Sequence, residues 1–156
     1  MRTITNLTKL DELIAKELGW AYYNDSEDCY YPVKPTVGWV PPEWKGKEIE
    51  CFNNLESKDK VPNYSSDLKD SQLLVNYIHS LNLDLAINSN KYNCCVQIQQ
   101  IEDDWEVVDY WSSTCGQLTE AIKYCTLDSP INSVPLALCL AFLKYKNIEV
   151  QLKLND

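Results

Sequence analysis

The densest apolar run of the chain, residues 134–142, limits most strongly what the chain can fold into. Within and just beyond it, Leu136, Cys139, Leu140 and Leu143 recur at helical spacing, and apolar residues also cover the flanks, so that almost no side is left for water. Nine residues are too few to cross a bilayer, which takes about 20. The run therefore predicts a helix buried in the core of a compact domain, and it does not predict a membrane span.

Length and composition favour one globular domain over residues 1–156. Hydrophobic residues make up 45% of the chain and charged residues 24%, which excludes disorder as the overall state. The formal net charge is −9, and Arg2 is the only arginine, so binding to the phosphates of nucleic acid is not expected. The first residues lack the apolar core of a signal peptide, and an intracellular protein without a membrane partner is expected.

Seven cysteines are many for this length, yet their spacing does not indicate a metal site. None form a CxxC pair, their number is odd, and the chain has a single histidine, His79. Buried, reduced thiols in a cytosolic protein explain them best. No metal and no cofactor is therefore expected.

Two further helices are predicted in the first half of the chain. Residues 9–18 carry an apolar face, with Thr8 as the expected cap and Gly19 as the expected end, and residues 68–81 form the second helix. Between them, residues 21–63 are rich in proline and aromatic residues and lack periodicity. This segment is either a functional loop or hides short strands, for which residues 37–40 are a candidate.

The second half of the chain predicts an antiparallel hairpin. Residues 92–102 and 105–111 alternate in polarity on either side of an acidic turn. Residues 83–87 and 148–154 are candidate strands, residues 112–114 are expected to form a cap or loop, and residues 115–125 a short helix. The predicted fold class is α+β, with an antiparallel β-sheet packed with α-helices as an α/β sandwich.

Three stretches together resemble the phage ABA sandwich domain family: the helix over residues 10–20 that ends in Gly-Trp, the Pro-x-Tyr-Ser-x-Asp turn at residues 62–67, and the Val-Pro-Leu-Ala-Leu-Cys-Leu-Ala helix at residues 134–141. The resemblance implies an α/β sandwich of viral origin that acts in the cytoplasm of the infected host cell. It implies no catalytic residues.

The candidate ligand-binding residues are aromatic side chains in segments of weak periodicity, together with a turn before the second predicted helix. Exposed rings stack on bases or anchor interfaces, and hydroxyls and amides at a helix start can bind an anion. Two alternatives stay open, namely a satellite core under a long loop for the rings and simple helix capping for the turn. The candidates are Tyr31, Trp39, Trp44, Tyr64, Ser65, Ser66, Asp67 and Trp111.

An enzyme is disfavoured because no credible nucleophile, acid, base or metal group stands out. His79 is expected on a helix surface, and turn chemistry explains Glu102, Asp103 and Asp104. The first hypothesis is a non-enzymatic phage protein that binds a nucleotide-like small molecule, specifically a sponge that sequesters a host immune signal. The alternatives are a protein-interaction module with an acidic and aromatic face, which could be a homo-oligomer and would inhibit a host protein, or a phage accessory structural protein.

Overall fold

The computed structural model describes residues 1–24, 37–89, 93–116 and 134–153. Helices, two antiparallel sheets and one parallel pair of strands form a mixed α+β fold, which confirms the predicted class. The chain divides into two compact units, of which the first joins Met1–Asp11 to Asn63–Asp156 and the second is Glu12–Pro62. The elements are β1 (Arg2–Ile4), α1 (Leu7–Glu17), β2 (Ala21–Asn24), β3 (Val37–Val40), α2 (Glu48–Asn53), α3 (Leu68–Ser80), β4 (Asp84–Ser89), β5 (Asn93–Ile101), β6 (Val107–Gly116), α4 (Val134–Tyr145) and β7 (Val150–Leu152).

Helix α4 lies in the core of the first unit, as the apolar run predicts. Every residue from Pro135 to Leu143 is buried except Leu140, which is half-buried. The helix packs against β5 and β6, where the Trp111 and Tyr145 rings meet edge to face with centroids 4.9 Å apart. Burial on nearly all sides is what a helix with so little polar surface requires.

The predicted hairpin is confirmed, and it forms part of a three-stranded antiparallel sheet in the order β4-β5-β6. Cys94, Val96 and Ile98 of the central strand are buried, whereas the residues that alternate with them are half-exposed. The expected loop at residues 112–114 was wrong, because these residues pair with β5 and continue β6 to Gly116. Their small side chains fit a strand that has a covered face. Residues 117–125 of the predicted helix lie outside the described residues.

The strand predicted at residues 148–154 is shorter than expected and has a partner that local pattern did not indicate. It pairs in parallel with β1, with Ile4 opposite Leu152, and both side chains are buried. Parallel pairing joins segments that are distant along the chain, so alternation within either strand does not reveal it.

Helix α1 begins earlier than predicted. The Asn6 side chain accepts a hydrogen bond from the Lys9 backbone N–H at 2.8 Å, so Asn6 is the cap, and Thr8 lies inside the helix. Gly19 ends the helix as predicted, with a φ of 98° that favours glycine.

Residues 21–63, which lack periodicity, contain two short strands of the second unit. Residues 37–40 form β3 as predicted, and β2 pairs with it although no strand was predicted there. Gly38 lies so close to the Phe52 ring and the Lys58 carbonyl that an added Cβ would be 3.2 Å from each. A short 3₁₀ turn, Pro42–Trp44, precedes α2. Residues 25–36 lie outside the described part of the chain.

Candidate functional site

Two of the predicted aromatic site residues belong to the second unit. Trp39 on β3 is only 5% exposed, and its ring lies 5.2 Å from that of Tyr22. Trp44 ends the 3₁₀ turn and is half-buried. The burial of Trp39 agrees with the satellite-core alternative for this residue. Tyr31 lies outside the described residues.

The Tyr64-Ser65 pair is buried in the first unit. Tyr64 is 1% exposed and Ser65 is 2% exposed. The Ser65 backbone N–H donates to Asp11 Oδ1 at 2.7 Å, a contact that ties α1 to the segment before α3. Ser65 Oγ is buried without a hydrogen-bond partner among the described residues. In this position the pair can stabilise the unit, but it has no surface to offer a ligand.

Asp67 is the N-cap of α3, and this geometry leaves little for an anion to bind. Its carboxylate accepts the backbone N–H groups of Lys69 at 2.7 Å and Asp70 at 3.2 Å. The Asp70 carboxylate in turn accepts the Asn63 N–H at 2.8 Å. The amides that an anion would use are occupied, and two carboxylates would repel it. Ser66 is exposed beside them.

A groove of about 620 Å³ opens at the end of α4, and no predicted site residue lines it. Its volume is in the range of about 300–1,000 Å³ that small-molecule sites usually have. Lys144 donates from Nζ to the Ser112 carbonyl at 2.6 Å. The lining combines partly exposed apolar side chains with groups of both charges, and it includes Ser113, Leu140, Lys144, Ile148, Glu149 and Val150.

Among the described residues, burial disfavours nucleophilic chemistry at the Cys94 and Cys139 thiols. His79 is exposed on α3. Burial raises the pKa of the Cys139 thiol well above its usual range, with further contributions from Asp11 and Cys115. Burial likewise raises the pKa of Cys94, with Cys95 adding to the shift. Protonated thiols are poor nucleophiles. Within the residues that the structure describes, no group of three potential metal ligands occurs.

The turn that connects β5 and β6 has a tryptophan at a position where glycine is usual. The Trp105 N–H donates to the Glu102 carbonyl at 2.9 Å, and the Glu102 N–H donates to the Glu106 carbonyl at 3.1 Å. This is a three-residue loop with a type I turn and a G1 bulge, whose third position takes the left-handed conformation. Trp105 has a φ of 61° and is 86% exposed. We call residues 102–108 the hairpin tip.

The hairpin tip combines apolar and acidic side chains. Val107 and Val108 are both exposed, and Val108 is an extra residue at an irregularity in the register with β5. Glu102, Asp103, Asp104 and Glu106 are all exposed around Trp105. No lysine or arginine occurs in the sequence between Lys91 and Lys123.

Sequence reasoning explained this turn by its two aspartates and missed Trp105 as a functional candidate. A signal was nevertheless present, because the three-residue loop contains no glycine or asparagine for its left-handed position. A turn of this type without glycine or asparagine at the left-handed position must place another residue in a backbone conformation that it rarely adopts.

The fold and these surfaces define a mixed α+β protein with a small-molecule-sized groove and an exposed acidic hairpin tip. No family model, curated protein or solved structure matches the chain. The resemblance to the phage ABA sandwich domain family therefore stays a prediction. None of the described helices is long and apolar enough to cross a membrane.

Proposed function

We propose that the protein is a non-enzymatic protein-interaction module that binds its partner through the hairpin tip. The observation that carries this proposal is the combination of exposure and backbone conformation at Trp105, which is 86% exposed at a φ of 61°. A residue held in a rarely populated conformation costs about 1–3 kcal/mol, and such residues cluster at functional sites. Tryptophan is also the residue type most enriched at the energetic centres of interfaces.

The surroundings of Trp105 support the same function. Val107 and Val108 follow Trp105 closely in the chain and are exposed, and four exposed carboxylates flank these apolar residues in the sequence. An apolar centre inside a polar rim is the usual anatomy of a protein interface. The resemblance to a phage family favours a host-cell protein as the partner, which the module would inhibit.

The test is capture of partner proteins from host-cell lysate by purified variants of the full chain. Trp105→Ala should lose the captured protein because the anchoring ring is gone. Leu55→Ala is the matched control, since Leu55 is also 86% exposed and also has a positive φ, of 56°, but lies in the second unit. Retention of the same partner by Trp105→Ala, or equal loss in both variants, would contradict the proposal.

A third variant separates binding from stability. Trp105→Gly should also lose the partner, yet it should be more stable than Trp105→Ala by about 1 kcal/mol, since glycine adopts a positive φ without steric cost. Urea unfolding monitored by circular dichroism measures this difference. Equal stability of the glycine and alanine variants would show that the turn has no strain to relieve.

The groove at the end of α4 favours capture of a small molecule as a second candidate function. Leu140 is the one half-buried residue in an otherwise buried stretch of α4, and it lines the groove. A thermal-shift screen that includes cyclic dinucleotides and ADP-ribose derivatives tests this function, because a ligand at a hundredfold its Kd adds about 2.7 kcal/mol. Leu140→Trp should abolish any shift by filling the groove. A shift that persists in this variant would assign the ligand to another site.

A further inference from the structure

We infer that the partner surface bound by the hairpin tip is an apolar patch rimmed by lysine and arginine side chains. This inference rests on the proposed function and specifies the chemistry of the partner. The inference starts from the distribution of charge, since Glu102, Asp103, Asp104 and Glu106 flank Trp105 in the sequence and are all exposed. A basic rim complements these carboxylates, whereas an acidic rim would be repelled.

The sequence around the hairpin tip contains carboxylates and no cationic residue. Along the sequence, no lysine or arginine occurs between Lys91 and Lys123. The Trp105 N–H and the Glu102 N–H bond backbone carbonyl groups at the tip. The four carboxylates are exposed and therefore accessible to a partner.

The apolar part of the inference comes from Trp105. An indole that is 86% exposed gains free energy from a partner whose apolar side chains remove it from water. The turn fixes the backbone at the ring through the Trp105 N–H to Glu102 carbonyl bond of 2.9 Å. The backbone of this turn therefore loses little further conformational freedom on binding.

A second copy of this chain is an unfavourable partner for the hairpin tip. Two tips brought together would oppose eight carboxylates, four from each copy, and the whole chain carries a net charge of −9. Like charges that face each other oppose association. The tip is therefore suited to a partner of opposite charge.

Three defined peptides test the inference with the full-length protein. A leucine–lysine peptide, whose helix presents an apolar stripe between rows of lysine, reproduces the inferred surface. A leucine–glutamate peptide keeps the stripe and reverses the charge, and a serine–lysine peptide keeps the charge and removes the stripe. The readout is the Trp105 indole N–H signal in ¹⁵N nuclear magnetic resonance spectra, assigned by its absence in Trp105→Phe.

The leucine–lysine peptide should shift the Trp105 signal and bind at least roughly tenfold more tightly than either control peptide, and the difference should shrink as salt is added. Neutralising the tip with Glu102→Gln, Asp103→Asn, Asp104→Asn and Glu106→Gln should remove the preference for lysine. Equal binding of the leucine–glutamate peptide, equal binding of the serine–lysine peptide, or no change at Trp105 would each overturn the inference. The proposed function is tested separately by Trp105-dependent capture, so failure of the inference can be told apart from failure of the proposed function.

Discussion

Cys139 illustrates how a single buried group in this protein responds to its surroundings. The thiol is fully buried on α4, and the neighbouring Asp11 carboxylate adds to the effect of burial in raising its pKa. Asp11 is itself buried and accepts the Ser65 N–H at 2.7 Å. A thiol in these surroundings stays protonated in the folded state at a pH where the unfolded chain releases its proton.

We expect the stability of the protein to fall with rising pH above about 8.5, the ordinary pKa of a thiol. The unfolded state then binds fewer protons than the folded state, so the stabilisation present below the unfolded pKa is lost as the pH rises towards the folded pKa. Cys139→Ala should reduce this slope by at most about 1.4 kcal/mol per pH unit. Urea unfolding of both proteins between pH 7.5 and 10 measures this change in slope.

Ala141→Gly is the control for Cys139→Ala. It weakens the same helix by about 1 kcal/mol and leaves the thiol in place. Its pH slope should equal that of the wild-type protein. If Cys139→Ala had that same slope, the thiol could not be the source of the pH dependence.

At the scale of elements, the local sequence pattern predicts the body and the end of helix α1 but not its N-terminal cap. The apolar face of residues 9–18 predicts the helix, and Gly19 ends it at a φ of 98°. The choice between Asn6 and Thr8 as the cap depends on where the chain enters the helix. The incoming chain is held by β1, which pairs with β7 at the other end of the sequence.

Alanine substitutions at Asn6 and Thr8 should show which of the two residues caps α1. Asn6→Ala should lower the free energy of unfolding by about 1 kcal/mol, because the Lys9 N–H loses its acceptor. Thr8→Ala should change it by less than about 0.5 kcal/mol, as for a typical exposed position. Chemical unfolding of both variants measures the difference, and a larger loss for Thr8→Ala would assign the cap to Thr8.

At the scale of the whole molecule, the first unit is built from both ends of the sequence. Met1–Asp11 belongs to it together with Asn63–Asp156, and the β1–β7 pair contributes Ile4 and Leu152 to its buried residues. The net charge of −9 is a further property of the whole chain, and it favours association with basic partners at low salt.

Ile4→Ala should therefore weaken the whole first unit as well as the end of the chain. Loss of a buried isoleucine side chain typically costs about 2–5 kcal/mol. Hydrogen exchange should become faster at the amides of Val96 and Ile98 on the central strand. Thr3→Ala, on the exposed side of β1, is the control and should leave these amides unchanged. Faster exchange confined to residues 1–5 would show that β1 is not part of the cooperative unit.

The candidate site was less predictable than the fold. Among the predicted site residues, Trp39, Tyr64 and Ser65 are buried, and Asp67 uses its carboxylate to cap α3. Aromatic composition alone could not distinguish a ring that binds from a ring that packs, because both need the same apolar surface. Trp105 was missed since its exposure depends on the loop conformation.

The sequence by itself determined α1, α3, α4 and the β5–β6 hairpin, because the periodicity of apolar residues along a segment is set by the geometry of that segment. Only the tertiary structure decided the β1–β7 pairing, the burial of Tyr64 and the exposure of Trp105. The exposure of Trp105 depends on the conformation of the hairpin loop, for which the absence of glycine and asparagine was a local signal. The other two features depend on which distant segment covers each face, and no local pattern of residues contains that information.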